Sequence, residues 1–368
     1  MMSVERVVIA PDSFKGTADA TEVARALAAG WAAVRPGDEL VLMPMADGGE
    51  GTLDAFELAV AGARRMPVTV TGPDGRPVST HWLLLPDGTG VVELASTSGI
   101  TLLHPLRPMA AHTAGFGEAI GAALAHGVSR LYLALGGSSS TDGGMGALRA
   151  LGARCLDAAG RPVAQGGAGL AALAAVDLSA LPALPPWGAL ILSDVTNPLL
   201  GRHGAAAVFG PQKGADPAQL GELDAGLARL AGLLAVDPAT PGAGAAGGTA
   251  FGLLAWGARL AAGSAAVGEA LGVPAAVRGA SVVITGEGRF DAQSAAGKVP
   301  SYLAGLARDA GARALLVAGA IDAGALAAAP GQFADAVSLT DLAGGSAAAM
   351  AEPLVWVEAA GSRLAAAL

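Results

Sequence analysis

Arg6-Val-Val-Ile-Ala-Pro11, then Asp12-Ser-Phe-Lys-Gly16, then a helically periodic stretch from Thr21 to Val34, open the chain. The first run is apolar without alternation, the pattern of a parallel strand buried on both faces. A second strand reads from Glu39 to Met43. A polar turn, Ala46-Asp-Gly-Gly-Glu-Gly51, follows it, and a helix from Thr52 to Ala61 comes next. Strand, turn, helix, repeated once, starts a doubly wound α/β sheet. The same buried-strand pattern returns near the other end, at 281–285, 314–318 and 336–339. In between, residues 65–95 alternate Val and Thr around the turns Gly72-Pro-Asp-Gly75 and Pro86-Asp-Gly88, which predicts an antiparallel meander. Further strands are expected at 130–135 and 189–193. The expected fold class is therefore α/β, with two α/β domains. One is a flavodoxin-like doubly wound sheet built by residues 1–72 together with 279–368. The other is a mixed α/β domain, residues 73–278, inserted into it.

Composition narrows the function. The chain has 368 residues, enough for two well-buried cores. Hydrophobic residues make up 52%, and the mean hydropathy is +0.52. Much of that value is alanine. The charge-free stretch from Pro238 to Ala258 is broken by Pro, Thr and several Gly, so it predicts no bilayer-spanning helix. The Met-Met-Ser-Val-Glu-Arg start lacks a signal peptide's apolar core, and a cytoplasmic protein is expected. A net charge of −9 with no basic block argues against nucleic-acid binding. No segment points to a membrane partner, and a homo-oligomer is left open. The one cysteine, Cys155, rules out an intrachain disulfide, and its Ala/Leu surroundings suggest a buried thiol on a helix.

Lysine usage is more informative. Of 22 basic residues only Lys15, Lys213 and Lys298 are lysine, and each has a glycine beside it. Glycine lets backbone N–H groups approach an anion, and lysine supplies a compact point charge. Five stretches combine glycine with carboxylate, hydroxyl or lysine at expected strand ends. Three of them are Asp12-Ser13-Phe14-Lys15-Gly16, Asp47-Gly48-Gly49-Glu50 and Gly137-Ser138-Ser139-Ser140-Thr141-Asp142. The others are Asp194-Val-Thr-Asn-Pro198, and Glu287-Gly-Arg289-Phe-Asp291 followed by Lys298. The Gly137–Gly144 loop, between a buried strand and a helix, suits a phosphate. No Walker A sequence and no His-Arg-Asp catalytic loop occurs. The loop carboxylates suit phosphoryl transfer, one set holding Mg²⁺ and another acting on the attacking hydroxyl. Asp194 is the first candidate for one of these roles, and an Asx turn would also account for it.

These residues resemble the bacterial type-1 glycerate kinases. The resemblance is carried by Ala10-Pro-Asp-Ser-Phe-Lys-Gly16, Ala46-Asp-Gly-Gly-Glu-Gly-Thr52, Asp194-Val-Thr-Asn-Pro-Leu199 and Val208-Phe-Gly-Pro-Gln-Lys-Gly214. Gly242-Ala-Gly-Ala-Ala-Gly-Gly248 and Ile284-Thr-Gly-Glu-Gly-Arg289 match as well, so it spans nearly the whole chain. Two departures, Ser139-Ser140 where Ala-Thr is expected and Phe290 where Ile is expected, keep the hydroxyl and carboxylate chemistry. The resemblance implies ATP-dependent phosphorylation of D-glycerate, commonly to 2-phosphoglycerate, with Mg²⁺. Alternatives are 3-phosphorylation, a related hydroxy acid, or a non-catalytic sensor of a sugar acid or nucleotide. Against a sensor stand the acidic loops, which a mere binder of anions would not gather.

Expected catalytic residues are Asp194, Lys15 and Asp47. Substrate and phosphate contacts are expected from Asp12, Ser13, Lys15, Gly48, Gly49, Gly137, Ser138, Ser139, Thr141, Lys213, Glu287, Arg289 and Lys298. Within that set, Lys15 and Arg289 are expected at the glycerate carboxylate, and Lys213 or Lys298 at the transferring phosphoryl group. Metal candidates are Asp194, Asp47, Glu50 and Asp291. Which carboxylate is base and which holds metal stays open at the level of sequence.

Overall fold

The computed structural model describes residues 4–14, 16–295, 298–328 and 330–368, the side chains of Gln293 and Ala295 excepted. Lys15, one of the expected catalytic residues, lies outside the described residues. The chain divides into two compact units: Met1–Asp47 with Asp54–Ala61 and Gly263–Leu368, and Gly48–Leu53 with Gly62–Ala262. In chain order the strands are β1 (Arg6–Ile9), β2 (Glu39–Leu42), β3 (Arg64–Thr71), β4 (Pro77–Leu84), β5 (Thr89–Glu93) and β6 (Arg130–Ala134). They continue as β7 (Arg154–Leu156), β8 (Ala175–Asp177), β9 (Ala189–Leu192), β10 (Arg259–Ala261), β11 (Val282–Phe290), β12 (Arg313–Ile321) and β13 (Asp335–Ser338).

The first unit is built on a five-stranded sheet of order β13-β12-β11-β1-β2. Every pairing in it is parallel. Counted within the unit this is the order 2-1-3-4-5 of flavodoxin-like folds, with the topological switch between β1 and β11. Val7, Ile9, Val282, Ile284, Leu315 and Val317 fill one face, with Leu27, Trp31, Val357 and Leu364 from two helices packed on them. Phe290, Leu316 and Ala318 fill the other. Burial on both faces is why these strands read as unbroken apolar runs. The two helices, Ala20–Val34 and Pro353–Ala366, approach closely where Gly30 meets the backbone of Glu358 and Gly361 meets that of Leu27. The first of them starts at a capping box, Asp19 with Glu22.

The second unit has a six-stranded sheet, β10-β9-β6-β5-β4-β3, and a two-stranded ribbon, β7-β8. β3, β4 and β5 pair antiparallel, as the Val/Thr alternation predicts, and β5, β6, β9 and β10 pair parallel.

Domain limits were expected at 72/73 and 278/279, and the compact units divide near 62 and 262 instead. β3 pairs with β4 along its whole length, Arg64 opposite Leu84 through Thr71 opposite Pro77, so it travels with the second unit. The helices Gly263–Ala270 and Val273–Val277 belong to the first. One local reading needs correction. Cys155 sits in β7, not on a helix. Pairing of Cys155 with Val176 across the ribbon overrides the helix propensity of its neighbours. The thiol is buried, and desolvation pushes its pKa up to about 11.

Candidate active site

In a parallel sheet, ligands sit beyond the carboxyl ends of the strands. A cavity of about 440 Å³ lies there in the first unit. From the β1 end come Asp12, Ser13, Phe14 and Thr17, and from the segment after β2 comes Asp47. β11 supplies Glu287, Gly288 and Arg289, with Asp291 just beyond it, and Lys298 sits at the N-cap of the helix Val299–Ala310. Gly319 and Ala320 of β12, Leu339 and Thr340 after β13, and Ser346, Ala349, Met350 and Pro353 complete the lining.

Strand geometry explains the β11 contribution. Alternate residues face the same side, so Glu287, Arg289 and Asp291 reach the cavity while Phe290 turns fully into the core. At Gly319 a Cβ would run into the carbonyl of Gly288, so the two strands keep their pairing only with glycine there. Asp12 is tied to β11 through its N–H, which donates to the Gly286 carbonyl at 2.8 Å, and the Ser13 N–H donates to Asp12 Oδ1 at 2.6 Å. Thr340 Oγ1 donates to the Gly319 carbonyl at 2.7 Å. Two of the carboxylates, Asp12 and Glu287, are only 5% and 7% exposed, so a cation arriving there meets them with little competing water.

Other expected site residues gather in the second unit. Gly48 packs on the backbone of Leu192, and its carbonyl accepts from the Gly136 N–H at 3.1 Å. A Cβ at Gly136 would strike Gly49. Asp194 follows β9 and is half-buried, and Glu50 is exposed. The loop 136–144 thus lies among the carboxyl ends of β5, β6 and β9, with Gly137, Gly143 and Gly144 in the left-handed region.

All four consecutive hydroxyls of that loop are buried. Ser138 Oγ donates to the Ser140 carbonyl at 3.2 Å and Ser139 Oγ donates to the Ser98 carbonyl at 2.8 Å. The hydroxyls of Ser140 and Thr141 have no partner among the described residues. Asp142, fully buried, accepts from the Thr113 N–H and Oγ1 at 2.9 Å each, from the Gly144 N–H at 3.2 Å and from the Gly146 N–H at 3.1 Å. Lys213 is 2% exposed, and its Nζ donates to Ser138 Oγ at 2.8 Å and to the Ser140 carbonyl. Burial pushes its pKa down to about 7, against a raising effect of Asp142.

So Asp12, Ser13, Asp47, Glu287, Arg289, Asp291 and Lys298 share one cavity, whereas Gly48, Gly49, Glu50, Gly137, Ser138, Ser139, Thr141, Asp194 and Lys213 belong to the second unit. The sequence reading missed Thr340 and Ser346, although Thr340 and Gly344-Gly345-Ser346 follow a strand end in the same style. It also missed Thr113 and Glu93. Glu93 Oε1 accepts the Thr52 N–H at 2.9 Å, and no local sequence signal announces a buried acid of that kind. Among the described residues no group of three or more His, Cys, Asp or Glu could hold a metal ion by itself.

Comparison with known proteins shows the family. The model of the glycerate kinase family matches residues 7–368. The glycerate 2-kinase of Escherichia coli K12 is 42% identical over 313 residues, 82% of each chain. The glycerate kinase of Bacillus subtilis 168 is 41% identical over 326 residues, 86% of this chain and 85% of that one. Among solved structures, a Salmonella typhimurium LT2 protein assigned as glycerate kinase 2 superposes with a TM-score of 0.83 at 38% identity, covering 99% of this chain and 98% of its own. A match that begins within β1 and runs to the last residue takes in both units, and on it the chain belongs to the glycerate kinase family.

Proposed function

We propose that this chain transfers the γ-phosphoryl group of ATP to the 2-hydroxyl of D-glycerate, giving 2-phosphoglycerate and ADP. The observation that carries the reading is the cavity, where, among the described residues, four carboxylates and two cations from four separate chain segments line one space in a member of the glycerate kinase family. The regiochemistry rests on likeness to the Escherichia coli glycerate 2-kinase.

The glycerate hydroxyl oxygen attacks phosphorus, the bond to the bridging oxygen of ADP breaks, and the hydroxyl proton passes to a carboxylate. Asp47, half-buried on the cavity wall, is the proposed proton acceptor. Arg289 and Lys298 would offset charge on the transferring oxygens or on the glycerate carboxylate. The donor set fits Mg²⁺: Asp12, Glu287 and Asp291 are hard oxygen ligands, and Mg²⁺ takes only one or two carboxylates beside phosphate and water. When bound, the metal would neutralise part of the polyphosphate charge. Asp194 and the Gly137–Gly144 loop remain proposed contributors from the second unit. No described helix is long and apolar enough to cross a membrane. A cytoplasmic setting, where ATP is abundant, is part of the proposal.

The test is ADP release that requires both ATP and D-glycerate, followed by phosphorus NMR of the product. A 2-phosphoglycerate signal is expected. A 3-phosphoglycerate signal would overturn the regiochemistry, and no release would overturn the activity.

A further inference from the structure

Outside the cavity lining, Gln332, Ser301 and Ser294 of the first unit run in a line to the segment that presents Arg289 and Asp291. Gln332 lies between β12 and β13, and its Nε2 donates to Ser301 Oγ at 2.8 Å. Ser301, in the first turn of the helix Val299–Ala310, donates its Oγ proton to the Ser294 carbonyl at 2.8 Å. Ser294 Oγ donates to the Arg289 carbonyl at 3.3 Å, and the Ser294 N–H donates to Asp291 Oδ1 at 3.3 Å. Neither serine lines the cavity, nor does Gln332, whereas Arg289, Asp291 and the helix's N-cap residue Lys298 all do.

Hydroxyl chemistry fixes the direction of this chain. A serine has one proton to give. That of Ser301 goes to the Ser294 carbonyl, so Ser301 can only accept from Gln332, and the amide must turn its N–H₂ toward it. Gln332 Oε1 is left buried with no partner among the described residues, a cost that the bond to Ser301 has to outweigh. Ser294 is fully buried, so water cannot take over its bonds when a partner is lost. The next residue, Phe333, sets its ring edge-on to Phe290, with centroids 5.7 Å apart and 86° between the planes. Phe290 stands between Arg289 and Asp291. Neighbouring residues of one loop thus hold the tripeptide 289–291 by its core side and by its backbone.

We propose that Gln332 and Ser301 are positioning residues, which through Ser294 hold the backbone from which Arg289 and Asp291 reach the cavity. The proposal rests on the reading that Arg289 and Asp291 serve phosphoryl transfer. A shift of these side chains by a fraction of an ångström would be felt there, since groups that meet reacting atoms need near-attack geometry.

Two measurements on the full chain test it. The first needs no turnover: hydrogen exchange, read by mass spectrometry, of the peptide spanning 289–295. Ser301→Ala is expected to speed exchange there about tenfold, and Ser301→Thr, which keeps the hydroxyl, should match the wild type. Gln332→Met keeps the length but donates nothing, and a smaller acceleration is expected. The second measurement is steady-state kinetics. Ser301→Ala should lower kcat/KM about tenfold with an unchanged thermal midpoint, and Ser301→Thr should restore it. In an Arg289→Ala background the same substitution should cost less than about threefold, because one of the two groups it positions is gone. A merely structural serine would give equal losses in both backgrounds. Equal losses, unaltered exchange in Ser301→Ala, or faster exchange without any loss of kcat/KM would each overturn the proposal. Wild-type behaviour of Gln332→Met removes Gln332 from it. If the wild type releases no ADP but Ser301→Ala loosens the 289–295 peptide, the proposed activity falls and the brace stands. If ADP is released and neither exchange nor kcat/KM responds, the brace alone falls.

Discussion

Lys298 in the first unit and Lys213 in the second share one sequence signature, a lysine beside glycine, and meet opposite fates. Lys298 stands on the wall of an open cavity with Arg289 and several carboxylates. Lys213 is sealed in, its ammonium engaged by Ser138 Oγ and the Ser140 carbonyl, so it acts on the 138–141 loop from behind. The carboxylates divide likewise. Asp12, Asp47, Glu287 and Asp291 face the cavity, while Asp142 accepts four hydrogen bonds from Thr113, Gly144 and Gly146 inside the protein. A glycine-rich turn with a charge can therefore present that charge or consume it, and burial decides which.

The contrast breaks most visibly at Asp47. Asp47→Asn is expected to lower kcat by about 10²- to 10⁴-fold, the usual worth of a positioned acid or base, with the thermal midpoint unchanged. A larger loss in Asp194→Asn than in Asp47→Asn would move the proton acceptor to the second unit and invert the comparison. Asp142→Asn probes the other side. The amide turns an N–H₂ toward backbone donors that the carboxylate satisfies, and a drop of about 5–10 °C in thermal midpoint is expected in scanning calorimetry. An unmoved midpoint would mean that Asp142 does not organise its loop.

Lys213 sharpens the contrast through pH. Burial holds its folded pKa at about 7, below the 10.5 of an ordinary lysine. Between those values the unfolded chain binds the extra proton, so stability rises with pH, by at most about 1.4 kcal/mol per pH unit. Below pH 7 the group is protonated in both states and adds no slope. Urea unfolding of Lys213→Met at pH 7, 8 and 9 should show a smaller rise than the wild type. An identical rise in both would deny that Lys213 is buried in solution. The smallest effect is expected at Cys155, whose thiol is kept protonated by burial in a ribbon remote in sequence from the cavity lining. Cys155→Ala should leave kcat within about twofold, and a tenfold loss would bring the thiol into the chemistry.

Much of the fold is legible in local patterns. The parallel strands announce themselves as short apolar runs because both faces are covered, and β3 to β5 announce themselves by alternation and by Gly72-Pro-Asp-Gly75. The acids and glycines of the cavity are visible too, since Asp12, Asp47 and Glu287 each stand at or near a strand end. Harder to see are the unit limits, because the eight residues of β3 have a partner only once β4 is folded beside them. Thr113 and Glu93 were invisible, being polar residues that bond to segments far away in sequence, Thr113 to Asp142 and Glu93 to Thr52.

By itself the sequence determined the α/β class, the strands, the order of the glycine-bearing turns and the membership of a family, since these depend on spacing within a few turns of chain. Tertiary structure alone decided that β11 lies between β1 and β12, with Thr285 Oγ1 donating to the carbonyl of Ala10 across 275 positions. It also decided that Asp47 and Asp291 open onto one cavity and that Lys213 closes into the core. Periodicity records which face of an element is apolar. Which elements become neighbours, and so which charges keep their water, is settled only when the sheets assemble.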